Sequence, residues 1–465
     1  PSPEAAAPRT ARASLSALDA TVMLVGIVVG IGIFRTPSLV AAHVGSEAAF
    51  IGVWVFGGLI TLIGALCYAE LAAAHPHAGG EYHFLRRAYG RPVAMLFGWA
   101  RGSVIQTGAI AGVAFVLGDY AAQLLPAGPQ GPALYAALSI VALTAVNVAG
   151  TLPGKNLQVA ATAVEVAAIL AIIGFGLAGG GPAEAPPPPA APPAAAALGM
   201  AMIFVLLTYG GWNEAAYLTG ELQDAPRNVP RVLLAGTAIL VVLYVLTNLA
   251  LLMILGLDGL RGSQAVAADM MAKVAGPPGA GLVSAAVIVA AVSTLNATIF
   301  TGARSWSALA ADVTFLARFA RWRGREREAR GATPANGLLL QGAVALALVG
   351  LGAVTEDGFR AMVDYTAPVF WGFLFLVGLA LFVLRRREPG RALPYRVPLY
   401  PVTPALFCLT CLFMLHASLA YTGLGALVGL AVVAAGLPLL LFRRPEAEAS
   451  RHPATPAVLP GDRSP

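Results

Sequence analysis

Charge is what this sequence has least of. Asp, Glu, Lys and Arg together make up 11% of its 465 residues, less than half the roughly 25% of a soluble domain. A soluble enzyme, a nucleic-acid module and a disordered scaffold each need a polar surface that this chain cannot supply. Cysteine is nearly missing too, and three residues cannot build a disulfide framework. Cys408 and Cys411 fall inside an apolar run and read as packing residues, not as a metal clip. The six histidines show no metal-ligand spacing, and no HExxH, nucleophile elbow or ATP-binding motif occurs. We therefore expect no enzyme chemistry, no resident cofactor or metal, and no ATP-driven pumping.

What the chain has instead is apolar length. Hydrophobic residues make up 58%, enough for about twelve spans of about 20 residues each. Apolar runs bounded by turn residues and charges place these at roughly 18–43, 50–74, 92–125, 132–150, 155–178, 198–220, 232–256, 279–306, 334–353, 360–384, 401–421 and 424–442. The expected fold class is an all-α integral membrane protein. Residues 179–197 read as a Pro/Ala-rich external loop, because prolines in series cannot continue a helix. Segment 318–330 is basic and polar, and 1–17 and 443–465 read as disordered tails rather than a leader or a span.

The net charge of +6 has a topological explanation. Arg9, Arg12, Arg86, Arg87, Arg91, Lys155, Arg227, Arg231 and the basic residues of 318–330, 385–396 and the C-terminal tail fall on one face. Only Arg261, Lys273 and Arg360 fall on the other. The positive-inside rule then puts both termini in the cytoplasm of a cell with this protein in its inner (plasma) membrane. Nucleic acid is not needed to account for the surplus.

Two spans are interrupted. Span one carries GIVVGIGIF at 26–34, with Arg35 and Pro37 close behind. Glycines at 30 and 32 weaken the helix and admit another backbone or a ligand. Span six carries LTYGGWNE at 207–214. The two are five spans apart, so they cross in opposite directions, as the leading helices of an inverted five-plus-five repeat do (18–178 and 198–385). Unwound backbone at membrane depth is tolerated only where it lines a cavity or is buried in protein. Freed amides attract a carboxylate and freed carbonyls an ammonium, and an amino acid carries both. The competing reading, glycines that only permit close helix packing, fits either site alone more easily than the pair.

At these residues the chain resembles the amino acid–polyamine–organocation (APC) superfamily, and within it bacterial permeases close to the L-type amino acid transporters. The resemblance rests on GIVVGIGIF, on CYAEL at 67–71 followed by PHAGGEY at 76–82, and on GWARGSVIQTG at 98–108. It continues through TYGGWNEAAYLTGEL at 208–222, PRNVPR at 226–231, IFTGAR at 299–304 and YRVPLYP at 395–401. It implies a leucine-transporter-like core of spans one to ten with spans eleven and twelve appended, and substrate held at the breaks. The amides around Gly30, Ile31 and Gly32 would take the substrate carboxylate, and the carbonyls near Thr208, Tyr209 and Gly210 the ammonium. Leu207 stands where relatives often carry a bulky aromatic gate.

The chain departs from that pattern in places. Ile31 replaces the Ser or Thr of many relatives and Leu207 a common Phe, which leans toward an apolar side-chain pocket. Glu165 stands where many L-type relatives carry a lysine in span five, near the space sodium-coupled cousins use for a cation. A carboxylate deep in a span is by default a functional hypothesis. Glu165 could carry a proton, coordinate sodium or meet a cationic substrate, or be a permanently protonated group bonded to a neighbouring helix. By family position, Ser293, Thr294 and Asn296 in span eight would be its oxygen neighbours.

Other polar residues carry plainer expectations. Glu214 pairs with a basic group, and Glu70 and Glu221 join gates with Arg86, Arg87 or Arg101. Arg101 and Arg304 snorkel from span ends, Asp119 is interfacial, and Trp54, Trp99 and Trp371 anchor at the lipid interface.

The function expected is secondary transport of amino acids by alternating access, with proton symport and exchange both open. An amine or polyamine carrier and a non-transporting amino-acid sensor are the alternatives; a channel or a membrane enzyme lacks its motifs. The partners expected are a small-molecule substrate, a proton and membrane lipid. The L-type heavy chain attaches through a cysteine between spans three and four, and loop 126–132 has none, so no disulfide-linked partner is expected.

Overall fold

The computed structural model describes residues 16–77, 79–149, 155–179, 195–220, 222–313, 335–391, 393–421 and 423–442. Nearly all of the two tails and of the Pro/Ala-rich loop, segment 318–330, Glu221 and the side chain of Arg304 lie outside these residues. Ten of the described helices are long and apolar enough to cross a membrane: Ala17–Phe34, Glu47–Ala74, Arg91–Leu124, Gly131–Val148, Ala160–Gly179, Ala225–Arg261, Val266–Ala303, Ala335–Ala353, Gly358–Arg387 and Val402–Tyr421. They correspond to spans one to five and seven to eleven. The two remaining expected spans are present in pieces. Span six is Ala195–Thr208 followed by a tight helix Trp212–Gly220, and span twelve is Leu424–Ala434 followed by Leu437–Phe442.

Span one is broken where its glycines stand. Its first half, Ala17–Val28, starts from a capping box in which Ser16 and Asp19 satisfy each other's amides. The chain then extends at Gly30 (φ −118°, ψ 175°), makes one tight turn at Ile31–Phe34, and resumes as the short helix Thr36–Ala41. Spans one, two, six and seven pack together, and spans three, four, eight and nine form a second group. Span two lies on seven and span three on eight. Spans three and four approach so closely that a Cβ on Gly118 would come within 2.1 Å of the Pro132 carbonyl oxygen. Apolar side chains such as Leu59, Leu138, Leu282 and Leu427 remain exposed on the outer surface, where lipid replaces water.

Three expectations are corrected here. Trp54 and Trp371 are buried and pack inside the bundle rather than at the lipid interface. Trp99 is half-buried, and its indole N–H donates to the Val432 carbonyl at 2.7 Å, tying span three to span twelve. A short helix, Gly80–Tyr89, fills the connection between spans two and three. Its polar composition hides it from any search for apolar length, and Gly80 is required there: φ is +45°, and a Cβ would sit 2.8 Å from the Tyr217 ring.

Candidate substrate site and its flanking ion-pair clusters

The breaks of spans one and six meet. A Cβ placed on Gly32 would lie 3.5 Å from Thr208 Cγ2 and 3.6 Å from Thr208 Cα. Thr208 Oγ1 lies 2.7 Å from both Thr36 Oγ1 and the Phe204 carbonyl, and its single proton serves one of them at a time. Among the described residues, the amides of Ile31 and Gly32 donate to no backbone carbonyl, and no hydrogen bond reaches the carbonyls of Tyr209 and Gly210. Free donors on one broken span thus lie beside free acceptors on the other, as unwound backbone allows. Leu207 is half-buried, and its carbonyl accepts the Gly210 amide at 2.9 Å.

Tyrosines hold the breaks open. Tyr244 of span seven donates to the Val28 carbonyl at 2.7 Å and sits 3.5 Å from the Gly30 amide, bridging the gap in span one. Tyr209 donates to the Trp54 carbonyl of span two at 3.1 Å, and its ring packs on that of Tyr244 with centroids 5.3 Å apart. The sequence reading did not single out Tyr244; its only signal was a tyrosine inside an otherwise aliphatic run.

On one side of the breaks lies Arg35, 2% exposed. Its guanidinium forms ion pairs with Asp357, at the start of span ten, and with Asp119 of span three at 3.5 Å. It also donates to Gln264 Oε1 at 2.6 Å and to the Ser263 carbonyl at 3.4 Å. Arg261, from the same connection between spans seven and eight, donates to the carbonyls of Ala41 and Val44 at 3.0 and 2.7 Å. This caps the orphan carbonyls of the short helix Thr36–Ala41. Asp119 is therefore a half-buried ion-pair member, not an interfacial residue. The available signal was an arginine directly after the break, with aspartates in two other apolar runs.

On the opposite side lies Arg101. Span three passes through a π-helical turn at Arg101–Ile105, a form that recurs at functional sites. The carbonyls it displaces are recaptured by Trp306 Nε1 on Gly102 at 3.1 Å and Tyr365 Oη on Ser103 at 3.0 Å. Arg101 grips both oxygens of Glu214 at 2.8 and 2.9 Å and lies 3.4 Å from Glu81 Oε2. It also sits over the Tyr217 ring, 4.8 Å from its centroid. Glu81 further accepts from Tyr68 at 2.6 Å, Asn213 at 3.0 Å and Tyr217 at 3.2 Å. Burial raises the Glu81 carboxyl above its ordinary value, against the pull of Arg101. Arg101 therefore does not snorkel. Glu70 is engaged elsewhere, by Arg385 at 2.6 Å through two parallel bonds, rather than by Arg86, Arg87 or Arg101.

Glu165 is buried, and its Oε1 has no partner among the described residues. One turn earlier on the same span, Thr162 meets the first half of span one, where a Cβ on Gly26 would lie 2.8 Å from its Cγ2. Of the span-eight oxygens, Ser293 Oγ is buried and also without a partner. The Thr294 carbonyl accepts from Thr298 at 2.7 Å. Asn296 accepts at 2.8 Å, through Oδ1, from the side-chain amide of Asn147 of span four.

Comparison with known proteins agrees with this architecture. The model of the amino acid permease family matches residues 15–436. The chain belongs to that family. It is thus an APC-superfamily amino acid transporter and a multi-pass membrane protein, not an enzyme. The serine/threonine exchanger SteT of Bacillus subtilis is 28% identical over 91% of this chain and 94% of that protein. The mouse b(0,+)-type amino acid transporter 1 is 28% identical over 86% and 81%. The mouse large neutral amino acids transporter small subunit 2 is 28% identical over 90% and 78%. The crystal structure of MhsT in complex with L-phenylalanine shares the permease's fold, with a TM-score of 0.57 at 17% identity over 90% of this chain and 100% of that one.

Proposed function

We propose that this permease moves amino acids across the plasma membrane by alternating access, with both termini in the cytoplasm. The observation that carries the reading is the pairing of free amides at Ile31 and Gly32 with free carbonyls at Tyr209 and Gly210. A zwitterion bridges such a pair, its carboxylate on span one and its ammonium on span six. Thr208 and Leu207 complete the wall, and apolar Ile31 and Leu207 favour an apolar or small side chain. The Arg35 and Arg101 clusters act as gates on the two sides. Both are formed at once in an occluded state, and each must break to open its side.

Glu165 supports proton symport, since a buried carboxylate without a partner can exchange a proton with the unwound segment's surroundings; Ser293 and Thr294 complete the coupling region. Similarity to SteT supports a second reading, exchange of small polar amino acids. Glu214, bound at both oxygens by Arg101, does not favour a polyamine carrier. Reconstituted protein in liposomes tests these readings. Labelled amino-acid uptake under an inward proton gradient is compared with uptake into vesicles preloaded with unlabelled substrate, in wild type and Glu165→Gln. Accumulation that the variant loses supports symport, and uptake that needs only internal substrate and survives the change supports exchange. Substrate binding without flux overturns transport in favour of sensing.

A further inference from the structure

A cavity of about 280 Å³ lies between the ends of spans two and ten and the segment that leads into span eleven. It is separate from the breaks. Its polar lining is Glu70, His75, Arg385, Glu388, Arg391 and Arg396, and the rest of its wall is largely leucine and alanine. The two carboxylates are already engaged. Glu70 takes two bonds from Arg385 and one from the Val397 amide at 2.6 Å. Glu388 takes bonds from Arg87 at 2.5 and 3.1 Å and from Arg391 at 3.2 Å.

The donors are not all used. Arg396 is exposed and has no partner among the described residues. Arg385 spends Nε and Nη2 on Glu70 while its guanidinium lies 3.8 Å from the Tyr400 ring centroid, and Nη1 has no described acceptor. The His75 side chain is 4% exposed, yet its Nδ1 is buried with no partner. A buried polar atom left without a partner is destabilising, so it marks a place where a ligand or water completes the bonding.

We infer that this cavity binds a phosphate group joined to a less polar body. Two arginines with unused N–H groups, Arg385 and Arg396, reach one space from different elements, and such a pair can grip different oxygens of a tetrahedral oxyanion. The leucines beside them suit an ester's carbon chain. An anionic phospholipid headgroup and a soluble phosphomonoester share this chemistry. Because the cavity joins span two, span ten and, through Arg87, the helix that carries Glu81, an occupant would brace the Arg101 side of the bundle.

The test uses the full chain and two charge reversals of equal size. Arg396→Glu changes a cavity-lining residue; Arg386→Glu changes an exposed arginine in the last turn of span ten that does not line it. Thermal unfolding in detergent is followed with glycerol 1-phosphate and inorganic phosphate, and native mass spectrometry counts lipid retained from phosphatidylglycerol or phosphatidylcholine nanodiscs. We expect Arg396→Glu to lose at least tenfold in affinity for the phosphate probe while Arg386→Glu stays within about twofold. Retention of phosphatidylglycerol but no response to soluble phosphates identifies a lipid site; the reverse identifies a soluble ligand, and either supports the cavity. No binding of any probe, or equal losses in the two variants, overturns it, the latter because general attraction to a basic face would explain the result. Binding is read without transport, so this outcome is independent of the substrate reading.

Discussion

The Arg35 cluster permits a quantitative test of what holds one side of the permease shut. In Arg35→Gln the cation disappears, but Asp119 and Asp357 remain facing each other with side chains 14% and 17% exposed. Removing one partner of a buried pair typically costs about 3–5 kcal/mol. The partial exposure of both aspartates reduces that to about 2–3 kcal/mol. In a conformation where this side opens, water reaches both carboxylates and the cost disappears. The open form should therefore gain about thirty- to hundredfold, at about 1.4 kcal/mol per tenfold. Thr36→Cys supplies the reporter, since Thr36 is buried behind the cluster and the native cysteines 67, 408 and 411 are all buried. Labelling by a membrane-impermeant maleimide should be at least tenfold faster with Arg35→Gln than without it. Adding Asp119→Asn and Asp357→Asn removes the orphaned charges and should return the rate toward its starting value. If the single variant labels no faster, buried charge is not what closes this side.

Four further outcomes are expected. Arg101→Gln strands Glu214 and buried Glu81, so uptake in liposomes should fall at least tenfold, and adding Glu81→Gln should recover part of it. Tyr244→Phe leaves the Val28 carbonyl unpaired, about 1–3 kcal/mol. Its signature should be a changed uptake KM with a melting temperature only a few degrees lower. Gly118→Ala should lower thermal stability by more than about 1 kcal/mol because the new Cβ meets backbone at 2.1 Å, whereas Gly32→Ala makes an ordinary 3.5 Å contact and should perturb uptake instead. Burial pushes His75 and His83 down to about 4 from an ordinary 6.5. Between those values the unfolded chain binds protons that the folded chain does not, so their contribution is whole above about pH 6.5 and is lost as pH falls toward about 4. Melting curves of His83→Gln should show a shallower loss across that window than wild type; an unchanged slope would sink the assignment.

Much of this molecule was legible before folding, and the parts that were not share one cause. The spans could be read because a bilayer offers no water, so each backbone segment must satisfy its own hydrogen bonds and apolar length becomes a local property. The breaks could be read because glycine pairs at 30/32 and 210/211 weaken a helix locally, wherever it lies. Span twelve was found for the same reason, although it is too interrupted to form one long helix. The partner of each charge was a different matter. Arg101 and Asp119 look like interfacial residues from their positions near span ends, and Glu70 looks available to any nearby arginine. Which cation reaches which carboxylate depends on how span three lies on spans two, six and ten, which no single span encodes.

The same division holds at the candidate site. The sequence alone determined that two antiparallel spans are interrupted and that a carboxylate stands in span five, since these are facts of composition along one segment. Only the tertiary structure decided that Gly32 touches Thr208, that Tyr244 bridges the gap in span one, and that Asn296 is spent on Asn147. Those contacts join residues more than a hundred positions apart. They exist because packing the helices buries each polar group beside whichever partner the fold brings to it, and burial makes an unmet partner costly enough to fix the choice.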